Sequence, residues 1–126
     1  MIPVDQTTFG EGVGNCFSAC VASILHVPLA DVPTFCVHDD WWERFLAWLW
    51  LRGLYAIGLT HNPAHELAGY HILSGKSPRG EFEHSVVARR DKIVHDPHPS
   101  RAGLQSFTDC IIILPMDHGE FARTNS

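Results

Sequence analysis

Cys16 follows a glycine-rich run, Phe9-Gly10-Glu11-Gly12-Val13-Gly14, and begins an apolar stripe of helical spacing made by Phe17, Cys20, Val21, Ile24 and Leu25. Asn15 is a good helix N-cap, which puts Cys16 in the first turn. Backbone N–H groups there lack intrahelical acceptors, and together with the positive end of the helix dipole they favour a thiolate. The glycines let a substrate approach the backbone closely, and the Cys16 N–H is placed to donate to an oxyanion. Gln6, on the same loop, supplies a second donor. From position alone Cys16 reads either as a nucleophile or as one more small buried residue beside Cys20.

A thiol nucleophile needs a base, and the base needs a partner that fixes its tautomer. His84 and Asp96 fit these roles. The run from His84 to Pro97 reads as a hairpin with a charged turn. Side chains alternate along each strand, so the two residues share a face only if the loop is odd-numbered or a bulge intervenes. A three-residue loop of Arg89, Arg90 and Asp91 sets them directly opposite, roughly 4.5 to 5.5 Å apart at Cβ. Arg79 and Gly80, in the loop before His84, are the candidates for substrate contact.

Other residues admit competing readings. The nine histidines invite a metal site, with His61, His65 and His71 in one stretch and His95 and His98 beside Asp96. Pro63 interrupts the first pair and no Cys or Glu set completes a tetrahedron, so no metal and no cofactor is expected. His95 alternates away from His84 and reads as packing. Trp41, Trp42, Trp48 and Trp50 read as core or interface in preference to a substrate groove. Asp5, Glu11, Glu81 and Glu83 read as solvated charges.

The elements that must position these residues come in a simple order. A loop over 5–14 leads into the first helix, which Pro28 and Pro33 end. Asp39 or Asp40 caps a second helix running to Arg52 and stopped at Gly53. Short β-like runs follow at 54–57, 70–73, 84–88, 93–95 and 110–114. The stretch between Gly75 and Glu83 reads as a loop. Helices first and strands after predict an α+β fold, with N-terminal helices packed on a mostly antiparallel sheet of about five strands. Residues 1–117 form a single domain in this reading, and 118–126 a polar tail.

With 126 residues, 45% of them hydrophobic and 18% charged, the chain is expected to bury a real core. A net charge of -5 and scattered basic residues argue against nucleic acid as partner. The most apolar stretch, from Trp41 to Leu51, carries Glu43 and Arg44 and is too short to span a bilayer, so no membrane partner is expected. Without an export signal at its start the chain is expected in the cytoplasm, its four cysteines as free thiols.

The run Gly14-Asn15-Cys16-Phe17-Ser18-Ala19-Cys20, with Gln6 before it and the segment from His84 to Pro97 after it, resembles the papain-like cysteine peptidases. The likeness is nearest to the bacteriocin-leader peptidase domains of bacterial export systems and to small bacterial and phage relatives. It covers residues near 5–25 and 69–104. The resemblance implies a papain-like fold and a triad of Cys16, His84 and Asp96, with Gln6 and the Cys16 N–H at the oxyanion hole. It also implies cleavage of a peptide or isopeptide bond in a peptide or protein substrate, through a thioacyl intermediate on Cys16. Two alternatives use the same parts: a peptide-binding module without turnover, and an acyltransferase of transglutaminase type.

Overall fold

In the computed structural model, which describes residues 1–60, 67–90 and 92–117, the apolar stripe after Asn15 is a helix, α1 (Cys16–Leu25). It ends before the prolines expected to stop it, at His26, whose backbone turns left-handed (φ 59°, ψ 43°). Two short 3₁₀ turns, Leu29–Asp31 and Phe35–Val37, lead to α2 (Trp41–Trp50). Asp40 precedes α2 as expected, but its carboxylate pairs with Arg44 at 2.6 Å and does not cap the helix. Helix α2 also stops short of Arg52, with Leu51 as its C-cap.

Five strands follow: β1 (Leu54–Leu59), β2 (Tyr70–Lys76), β3 (Glu83–Arg89), β4 (Lys92–His95) and β5 (Asp109–Pro115). They form one antiparallel sheet in the order β1-β5-β2-β3-β4. The chain is thus α+β, two helices packed on a five-stranded antiparallel sheet. Strands β2 and β3 overrun their expected lengths because the loop between them is short, with Lys76 paired to Glu83.

The alternation of the sheet builds two cores. Ala56, Ile72, Val87 and Ile111 meet Phe17, Cys20 and Val21 of α1 and Phe45 and Leu49 of α2. On the other side Leu73, Val86, Ala88 and Cys110 pack with Leu59, Leu67, Leu104 and Ile112. Central strands covered on both faces explain why β2 and β3 read as near-continuous apolar runs. Phe45 and Leu49 are fully buried, each worth about 1.5–3 kcal/mol relative to exposure. Trp41, Trp42 and Trp48 pack at the edge of this core, while Trp50 stays exposed. Among the described residues no helix is long and apolar enough to cross a membrane.

The segment before β5 crosses directly over β2. Lys76 N–H donates to Ser106 O at 3.1 Å, and Thr108 N–H to Ser74 O at 2.8 Å. Gly75 lies beneath this crossing, and a Cβ there would stand 1.7 Å from the Ser106 carbonyl oxygen. Since both partners are backbone, Gly75→Ala is expected to cost about 3 kcal/mol of stability, read as a lower urea midpoint at unchanged slope. A loss below about 1 kcal/mol would show that the crossing yields easily.

Candidate active site

The site starts from the end of α1. Cys16 is its first residue, so its N–H has no intrahelical acceptor. The neighbouring Phe17 anchors this end of the helix, packing edge-on against Trp41 and Phe45 with centroids 5.4 and 5.0 Å away. Cys16 is left half-buried at a cavity wall, whereas Cys20, one turn on, is wholly in the core. Asn15 does not cap the helix through its side chain. Its Oδ1 instead accepts the Thr7 and Thr8 N–H groups at 2.9 and 3.0 Å, tying the glycine-rich loop down beside Cys16.

His84 and Asp96 are brought together by a bulge, not by the expected three-residue loop. Arg89 pairs with Lys92, and this register alone would send the two side chains to opposite faces. The register shifts between Val87 and Ala88, so that Val87 faces His95. Asp96 then falls on the same side as Val86 and His84, as a diagonal neighbour of His84. Nε2–H of His84 donates to Asp96 Oδ1 at 2.6 Å, both side chains being 2–3% exposed. The same Oδ1 accepts the His98 N–H at 2.9 Å, and Oδ2 accepts the Gly103 N–H at 2.7 Å. Gly103 reaches Asp96 from a left-handed backbone (φ 77°), a conformation glycine adopts without strain.

Electrostatics follow from these contacts. Burial by itself pulls the His84 imidazole down, but the Asp96 hydrogen bond, the Cys16 side chain as second hydrogen-bond partner, and attraction to both groups hold it up to about 9. With Nε2 on Asp96, Nδ1 is the nitrogen left for the Cys16 sulfur. Burial likewise pushes Asp96 up, yet its hydrogen bonds from His84, His98 and Gly103 outweigh it and bring the carboxyl to about 2. The result is a carboxylate, an imidazolium and a sulfur in sequence.

Cys16 and His84 open on a cavity of about 550 Å³. The glycine-rich loop forms one wall through Phe9, Gly10, Gly12 and Gly14, and the β2–β3 connection forms another through Arg79, Glu81 and Phe82. No protein-family model, curated protein or solved structure matches the chain.

The residues singled out by sequence therefore divide. Cys16, His84, Asp96 and Gln6 converge here, and Arg79 lines the cavity, its Nη1 donating to Ser100 Oγ at 3.0 Å. Gln6 is buried at the wall, with Nε2 donating to Thr8 O at 2.9 Å, so one further amide N–H remains for an oxyanion. Its Oε1 is buried without a partner among the described residues. Gly80 does not line the cavity; it lies against the Phe82 ring, 2.7 Å from where its Cβ would be. No tryptophan lines the cavity either.

Asp5 is exposed, as the sequence suggests, and it is also paired. Arg101 grips it bidentately, Nη1 on Oδ1 at 2.6 Å and Nη2 on Oδ2 at 3.0 Å, and also donates from Nη1 to the Asp96 carbonyl. Glu81 pairs with Lys76 at 2.8 Å, and Glu83 accepts the Thr108 hydroxyl at 3.0 Å. His95 turns away from the site, to the Val4 carbonyl at 2.9 Å. His61 and His65 lie outside the described residues; among the described ones no three His, Cys, Asp or Glu side chains are grouped to hold a metal. The tail over 118–126 is likewise outside them. Sequence reading missed His98, which enters the cavity; the signal available was its place between Pro97 and Pro99, two residues after Asp96.

Proposed function

We propose that this chain is a thiol hydrolase of papain-like type that cleaves an amide bond, peptide or isopeptide, through a thioacyl intermediate on Cys16. The observation that carries this reading is the buried His84–Asp96 hydrogen bond at 2.6 Å, with His84 and Cys16 lining the same cavity. The papain-like assignment rests on the arrangement of parts: a cysteine opening a helix, a histidine on one strand, and its carboxylate directly after the neighbouring antiparallel strand.

In this mechanism the Cys16 thiolate attacks the carbonyl carbon, a C–S bond forms, and the C=O electron pair moves onto oxygen. The Cys16 N–H and the second Gln6 amide hydrogen stabilise that oxyanion. His84 passes its Nδ1 proton to the leaving amine as the C–N bond breaks, and neutral His84 then takes a proton from the incoming water. The hydroxide adds to the thioester, the acid departs, and the Cys16 thiolate and imidazolium are restored. Asp96 keeps the proton on Nε2 and supports the imidazolium throughout.

The test is the reaction with the p-nitrophenyl ester of N-carbobenzoxyglycine. The expected result is a stoichiometric burst of p-nitrophenolate, a matching acyl mass increase on the peptide bearing Cys16, and continued turnover that Cys16→Ala abolishes. A stable adduct without turnover would point to capture in place of hydrolysis. No adduct on Cys16 would sink the proposal.

A further inference from the structure

His98 sits in the cavity with Cys16, His84 and Gln6, and its ring is held from several directions. Pro97 is fully buried before it, and Pro99 after it restricts its backbone to extended conformations. Its N–H is bonded to Asp96. The ring packs edge-on against Phe9 at 5.3 Å and against His84 at 6.3 Å between centroids. Its protonation is equally constrained. Nδ1 accepts the Ser100 N–H at 3.0 Å, and a nitrogen that accepts carries no proton, so the ring is neutral with its hydrogen on Nε2. Burial lowers the His98 pKa in the same sense, as do the charges of Arg79, His84 and Arg101 facing it, against the opposite pull of Asp96.

Nε2–H is thus a donor on a rigid ring, with no protein acceptor among the described residues. A fixed neutral donor that lines the same cavity as the nucleophile is placed to meet an oxygen acceptor on a bound substrate. We propose that His98 is a substrate-binding residue, donating its Nε2–H to a carbonyl oxygen of the substrate. The inference rests on reading the cavity as an acyl-substrate cleft. It gives the site preference for a chain with a second carbonyl, such as a peptide, over a simple acyl group. The cavity volume of about 550 Å³ is within the range that takes ligands of that size.

The test is binding without chemistry. Full-length protein carrying Cys16→Ala is titrated with N-carbobenzoxyglycinamide, followed by ¹⁵N-detected NMR of the histidine rings and by calorimetry. The expected spectrum shows His98 protonated on Nε2 only, with that resonance moving as ligand is added. Adding His98→Ala is expected to raise Kd about tenfold, the weight of one neutral hydrogen bond. His98→Gln, which keeps an N–H donor at the tip, is expected to recover most of it. A proton on Nδ1, equal Kd values in the three proteins, or no binding at millimolar ligand each overturn the proposal. Since no turnover is involved, a chain that binds through His98 but never acylates Cys16 would overturn the hydrolase reading and leave this one standing.

Discussion

His84→Ala is expected to lower the steady-state rate on the p-nitrophenyl ester roughly 10³- to 10⁴-fold per folded molecule, the folded fraction being read from circular dichroism because the substitution also removes one partner of a buried pair. The basis is the placement of the imidazole, whose Nε2 bonds Asp96 at 2.6 Å and which lines the same cavity as Cys16. Held up to about 9, the ring is an imidazolium at neutral pH. Alkylation of Cys16 by iodoacetamide at neutral pH is expected to be faster in the unaltered protein than in His84→Ala, because the base lines the same cavity as the sulfur. The expected difference is at least about tenfold. Cys20 and Cys110 are buried internal references, their thiols pushed up by burial, Cys110 to about 11. Mass spectrometry of the tryptic peptides separates the sites. Equal alkylation rates with and without His84 would mean that the pair does not operate.

Asp96→Ala is expected to destabilise the chain by about 3–5 kcal/mol, because it removes one partner of a buried ionic contact. His84 would lose its acceptor in a site where it is 2% exposed, and the N–H groups of His98 and Gly103 would be left without theirs. The pair also imposes a pH dependence whose sign follows from the direction of each shift. His84 is raised from 6.5 to about 9, so its contribution is full below about pH 6.5 and is lost as pH rises through about 9. Asp96 is lowered from 3.8 to about 2, so its contribution is present above about pH 4 and is lost as pH falls toward about 2. Urea midpoints measured across pH should show both declines in the unaltered protein, with maximal stability between them, and neither in Asp96→Ala. A variant whose midpoint stays within about 1 kcal/mol of the parent at neutral pH would overturn this account.

The parts of the site legible from sequence are those set by local pattern. Helical spacing after Asn15 places Cys16 at the start of α1, since the periodicity that buries Phe17, Cys20 and Val21 also determines where the helix begins. Runs of β-branched residues mark the strands, and alternation makes a bulge or an odd loop the condition for His84 and Asp96 to meet. Which of the two occurs is not written locally. The bulge beside Val87 and the pairing of Arg89 with Lys92 depend on how β3 and β4 pack against the rest of the sheet. The environment of Asp96 is also tertiary: its partners come from positions 84, 98 and 103, and Arg101 joins its backbone to Asp5 from the other end of the chain. The crossing over Gly75 and the tautomer of His98 are of the same kind. Helix and strand identity arise from contacts a few residues apart, which sequence spacing records. Side-chain pairing and protonation arise from groups brought together only when the chain has closed, and there the tertiary structure decides.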